Sequence, residues 1–229
     1  MKKKKEKAKK SKKKKKEKPK KKPKSMKRLM SIPEPREQAL RAAGGGLAGV
    51  LSVVALTYIL WGIMEDESIL YAGFMLDTLS MGNGFNAFLG MWALSFTPFT
   101  SIGAILVNWQ DNLLYVMIPI LFSGCVIGIT TKRLTTAILG GIFFIFWGFV
   151  LPILFVYLFS IFGVFDPVIV NATLAGILEN PLNSWNYDWL LGIFNNLYIT
   201  WSAAGALELG VLATVIALPF AGILQLIKR

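Results

Sequence analysis

The apolar run from Leu113 to Phe165, interrupted only by Thr130-Thr131-Lys132-Arg133-Leu134-Thr135-Thr136, limits this chain more than any other stretch. Leu113 to Ile129 and Ala137 to Phe165 each suit a hydrocarbon core of roughly 30 Å, which about 20 helical residues cross. Only helices or closed barrels satisfy their backbone polar groups inside lipid, and runs this long and continuous are helical. The pattern therefore predicts an all-α, multi-pass integral membrane bundle, with the Lys132-Arg133 pair at a membrane face.

Charge divides the chain in two. Residues 1–28 carry eighteen lysines and Arg28 against Glu6 and Glu17, a net +17, whereas from residue 42 onward four basic residues oppose nine carboxylates. A Lys-dominated, aromatic-free stretch broken by Pro19 and Pro23 repels itself and has nothing to bury, so residues 1–34 are expected to form a disordered cytoplasmic tail ahead of a membrane domain at 35–229. No apolar run follows its first charges, so the tail does not have the form of a secretory signal. Lysine without interleaved arginine or aromatic residues offers point charges but neither bidentate base contacts nor stacking surfaces. The expected partners of residues 1–28 are accordingly anionic lipid headgroups of the bilayer, and after them a ribosome or an acidic protein.

Pro35 and Glu37 open a helix that continues through Arg41 into a first span ending near Met64. Gly44-Gly45-Gly46-Leu47-Ala48-Gly49 has the form G-x-G-x-x-G, yet it opens an apolar helix with no preceding strand, which excludes the dinucleotide reading. Close helix packing accounts for it better: Gly45 and Gly49 form one GxxxG pair, and Gly124 and Gly128 another. Glu65-Asp66-Glu67 ends the first span, and 68–80 is amphipathic. Phe85 to Trp109 is long enough to cross but is broken at Thr97-Pro98. Trp185 to Ala204 holds polar groups and aromatic residues of the kind that sit at an interface, among them Trp185, Trp189 and Trp201. Ala206 to Ile227 is the last span.

The distribution of basic residues favours four spans plus two membrane-dipping broken segments, 85–109 and 185–204, with both termini cytoplasmic in a cell membrane. The tail, Lys132-Arg133 and Lys228-Arg229 then share one side. The alternative is six spans, with Lys132-Arg133 on the other side. A tandem internal repeat of 35–133 and 134–229 accompanies the four-span plan: Leu89-Gly90 matches Leu191-Gly192, Gly103-Ala104 matches Gly205-Ala206, and each half ends in Lys-Arg. This order is similar in plan to the span, pore-loop, span unit of tandem-pore cation channels. The carbonyl-lined Thr-Val-Gly-Tyr-Gly run of their filters is absent, so the likeness is one of segment order alone.

The chain has no histidine, and its one cysteine, Cys125, lies mid-run as a small packed side chain. A His-based triad, a zinc site and a disulfide framework are excluded within it, no nucleophile has a base beside it, and no cofactor or enzymatic activity is expected. One intramembrane polar site stands out: Glu208, with Asn195, Asn196 and Thr200. Two functions follow from the sequence. The first is a non-catalytic accessory or scaffold subunit of a membrane assembly, homo- or hetero-oligomeric, whose polybasic tail binds acidic surfaces. The alternative is a small channel-like or carrier-like protein with a path lined by 85–109 and 185–204.

Overall fold

The computed structural model describes residues 35–63, 89, 92–98, 109–162 and 188–227. The tail, the 68–80 stretch, Glu65-Asp66-Glu67, Gly103-Ala104, Trp185 and Lys228-Arg229 lie outside them. Among the described residues every regular element is helical: α1 (Pro35–Ile63), α2 (Trp109–Thr131), α3 (Leu134–Ile161), α4 (Asp188–Phe194) and α5 (Leu197–Ile227). Residues 92–95 add one further helical turn. Three helices, at Pro35–Leu60, Leu134–Leu158 and Leu197–Ile227, are long and apolar enough to cross a membrane, and Met117–Thr131 in α2 is a shorter apolar helix.

The local reasons are readable residue by residue. Pro35 starts α1 because its missing N–H is one of the donors a first turn leaves unpaired anyway, and Glu37 adds charge favourable to that turn and an ion pair to Arg41. The interruption expected over 130–136 is much shorter in the structure. Thr130 and Thr131 stay in α2, donating their hydroxyls to the carbonyls of Val126 (2.7 Å) and Ile127 (2.8 Å). Thr135 and Thr136 already belong to α3. Only Lys132, with φ of 59°, and the extended Arg133 make the turn. Hydroxyls that bond back to their own helix need no solvent, which is why Thr130 and Thr131 extend α2 right up to the basic pair.

Four long helices form a ring in the order α1, α2, α5, α3. α1 packs along α2 and α3, and α5 packs along the same two, whereas the consecutive helices α2 and α3 touch only slightly. α1 and α3 run parallel: Gly140 lies beside Ala42, and four residues on in each helix a Cβ on Gly46 would meet Phe143 and the amide nitrogen of Phe144, while the long Trp147 side chain reaches back so that Nε1 donates to the carbonyl of Ala43 at 3.2 Å. α2 and α5 also run parallel, through Gly124 against Ala213 and Gly128 against Ala217. The start of α1, the α2–α3 turn and the end of α5 consequently lie at one end of the bundle. Gly45 sits against Thr131 there, and the Leu134 N–H donates to Gln225 Oε1 at 3.2 Å. Exposed interface-type aromatics stand toward the opposite end: Tyr58 and Tyr157, each 66% exposed, and Trp189 at 58%.

Glycine sets the distance between these helices. Both GxxxG pairs lie in helix seams, Gly45 and Gly49 on α2 and Gly124 and Gly128 on α5. The large core side chains fill what the glycines leave open. Ile127, fully buried, occupies the space beside Gly49 and Gly140, and Ile145, with the fully buried Phe144 next to it, that beside Gly210. In lipid this packing, rather than exclusion of water, holds helices together. Cys125, between these glycines, is half-buried. Outside, Leu51, Ile142, Phe146, Val215 and Ile223 are exposed, as hydrocarbon-facing side chains should be.

The seams can be probed at adjacent glycines. A Cβ at Gly46 would lie 2.6 Å from a backbone nitrogen and 2.7 Å from a backbone oxygen of α3, while one at Gly44 would meet nothing within 4 Å. Gly46→Ala is expected to destabilise the bundle by about 1–3 kcal/mol, as overpacking does. Gly44→Ala should be neutral or stabilising by up to about 1 kcal/mol through helix propensity. Thermal unfolding midpoints of the two variants in detergent separate these outcomes.

Candidate functional site

The polar, irregular backbone of the bundle collects around the first three turns of α5. Residues 92–98 form a helical turn that ends at Phe96, Thr97 and Pro98, and each of these seven residues is buried. Proline has no N–H to continue the helix, so the turn closes on itself: the Phe96 N–H donates to the Trp92 carbonyl at 3.0 Å and the Thr97 N–H to Leu94 at 3.2 Å. Thr97 Oγ1 donates to the Ala93 carbonyl at 3.2 Å, the back-bonding expected beside Pro98.

α5 completes the bonding of this segment. Trp201 Nε1 donates to the Ala93 carbonyl at 3.1 Å, and Tyr198 Oη donates to the carbonyl of Leu89 at 3.3 Å. Gly205 lets the segment approach, because a side chain there would overlap the Phe96 carbonyl. Tyr198, Trp201 and Gly205 are spaced i, i+3, i+7 and so share one face of the helix. Aromatic contacts fix the other side. Trp92 stacks on Phe96 at 4.9 Å between ring centres and meets Phe155 edge-on at 5.1 Å, and Phe96 leans on Phe144 at 5.9 Å.

A second break lies at Asn195-Asn196, between α4 and α5. Asn195 has φ of 46°, a left-handed conformation that asparagine tolerates better than most residues. Asn196 caps α5, its Oδ1 accepting the Ile199 N–H at 3.1 Å, and its carbonyl accepts the Thr200 hydroxyl at 2.9 Å. Three of the four residues singled out as a polar site are therefore brought together as a helix-start motif. Glu208 stands apart, eight residues beyond Thr200 and about 12 Å further along the axis. It is half-buried. Among the described residues no group of histidine, cysteine and carboxylate side chains is arranged to hold a metal.

Two sequence expectations change here. Gly205 does not divide a dipping segment from the last span; α5 runs unbroken from Leu197 to Ile227, so 197–204 are its first turns. The glycine serves close approach to Phe96 and leaves helical bonding intact. Trp201 does not belong to an interfacial aromatic belt, being fully buried with its indole N–H used inside the bundle. The residues that sequence reasoning missed are Tyr198, Trp201 and Gly205 as a set. Their common helical face was a usable signal, but its partner at 89–98 is about a hundred residues away.

Compared with known proteins, the chain matches no family model, no curated protein and no solved structure. What stands is the coarse class: an all-helical protein, among the described residues, with helices able to cross a membrane.

Gly205→Ala is expected to push residues 92–98 off α5. In a Cys125→Ser background, a cysteine at position 95 should then react faster with a small thiol reagent than in the Gly205 parent. At the other break, Asn195→Gly should leave stability unchanged or improved. Asn195→Val should lower it by about 1–2 kcal/mol, the cost of a left-handed backbone at a β-branched residue. Equal melting midpoints for the two position-195 variants would contradict the role given to that backbone.

Proposed function

We propose that the chain is a non-catalytic, four-span accessory or scaffold subunit of a membrane assembly, with both termini on the cytoplasmic side of a cell membrane and a Lys-rich tail that docks on acidic surfaces. The observation that carries this reading is the meeting, at one end of the bundle, of the start of α1, the Lys132-Arg133 turn and the end of α5. Pro35 continues directly from the lysine-rich stretch and Ile227 directly into Lys228-Arg229. Four crossings with basic ends on a common side follow the positive-inside tendency, and the exposed Tyr58, Tyr157 and Trp189 toward the other end suit the opposite interface. The filled core, in which Ile127, Phe144 and Ile145 occupy the gaps left by glycines, supports a structural role.

A second reading has its own support. The broken segment at 92–98 lies against the first turns of α5, just after the Asn195-Asn196 break, through Trp201 on the Ala93 carbonyl and Gly205 on that of Phe96. Irregular backbone at membrane depth is tolerated where protein or water satisfies it, and transporters place binding sites at such breaks. On this reading each half of a 35–133, 134–229 repeat supplies one broken segment to a channel-like or carrier-like path.

Deleting residues 2–28 should abolish salt-sensitive association with anionic vesicles while leaving the detergent melting midpoint unchanged; association surviving both the deletion and high salt would remove the docking role. Impermeant labelling of cysteines at 132 and at the two termini should place all three on one side. Under the path reading, Glu208→Gln should change ion or solute flux through reconstituted liposomes.

A further inference from the structure

We infer that the α2–α3 turn is a binding site for the headgroup of an anionic phospholipid, formed by Lys132 and Arg133 and separate from the lysine-rich tail. The inference rests on the membrane reading given above and names a partner for one end of the bundle. Lys132 holds a left-handed backbone, φ of 59°, at the position that ends α2, with its N–H bonded to the Gly128 carbonyl at 3.1 Å. Helices usually end at such a position with glycine or asparagine, which adopt it at little cost. A lysine there forgoes stability, and what it adds is charge. Arg133 follows at the N-cap of α3, where serine, threonine, aspartate or asparagine would ordinarily bond the first turn. It makes no side-chain cap bond.

Both residues are half-buried, with part of their surface open, and among the described residues neither has a carboxylate partner; the ion pair there is Arg41 with Glu37. Among the described residues, then, no carboxylate claims either charge. What lies beneath them selects the class of partner. Ile129 and Leu134, within three residues on either side, are 53% and 43% exposed, and Ile138 continues the same apolar surface one turn down α3. A ligand filling this place presents a negative group directly above hydrocarbon, which is the form of a phospholipid with a phosphodiester and net negative charge. An acidic protein or RNA would meet the charges but leave the apolar collar uncovered.

The test uses the full chain, purified in mild detergent from bilayers containing equal phosphatidylglycerol and phosphatidylcholine, with co-purified lipid counted by mass spectrometry. The parent should retain phosphatidylglycerol in excess. Lys132→Asn should lower that excess about fivefold, the factor one basic side chain supplies near an anionic leaflet, and adding Arg133→Gln should lower it further by a similar factor. Asparagine suits the left-handed backbone, so the melting midpoint of Lys132→Asn should be unchanged or raised while lipid retention falls. The exchange Lys132→Arg with Arg133→Lys should retain the lipid, and soluble glycerophosphate should not displace it. Unchanged enrichment in the neutral variants, loss in the charge-conserving one, or displacement by glycerophosphate or by RNA would overturn the assignment. The tail is identical in every arm. Failure here therefore leaves its docking role standing, and loss of that role under tail deletion leaves this site standing.

Discussion

A helix that breaks inside a bundle must find partners for its freed carbonyls, and in hydrocarbon no water is present to supply them. The arrangement around α5 answers that constraint. Pro98 ends the turn at 92–98, and the Ala93 and Leu89 carbonyls are met by Trp201 and Tyr198 from a helix remote in sequence. An unmet carbonyl at such a place costs about 1–3 kcal/mol or more, so each of these bonds decides whether the segment stays inside. Gly205 makes the approach sterically feasible, and the stack of Trp92, Phe96, Phe144 and Phe155 fills the remaining volume.

The same logic of close approach governs the rest of the bundle. Lipid tails are as apolar as leucine, so helix association in a membrane cannot depend on excluding water and depends instead on contact area. Here that area comes from small residues aligned in seams. Gly45, Gly46 and Gly49 line the contacts of α1, and Gly124 and Gly128 face Ala213, Ala217 and their neighbours on α5. Several helix hydroxyls are met locally, those of Thr130, Thr131 and Thr214 bonding back to carbonyls four residues earlier, while the buried hydroxyls of Ser123, Thr136 and Ser202 face the packed interior without a partner among the described residues. The result is a ring whose diagonal partners α2 and α3 are sequence neighbours held apart by α1 and α5.

Polarity then divides the bundle along its length. Among the described residues the basic side chains, Arg36, Arg41, Lys132 and Arg133, belong to the end that holds the α2–α3 turn, and exposed tyrosine and tryptophan stand toward the other. This division links the proposed orientation to the proposed lipid contact, since a membrane leaflet is the surface that offers negative charge and hydrocarbon within a few ångströms of each other.

Much of this was determined by the sequence alone: helical elements, the position of α1 from Pro35, the turn at Lys132-Arg133, the break beside Pro98 and the glycine pairs, all of which follow from local covalent and steric rules. The polar stretch at 130–136 is longer than the turn it holds, because Thr130 and Thr131 bond back into α2 and Thr135 and Thr136 already lie in α3. Only the tertiary structure decided the order of helices around the ring, the continuity of α5 through Gly205 and the burial of Trp201. Those depend on which distant carbonyl a donor meets, and periodicity along one helix carries no information about a partner segment about a hundred residues away.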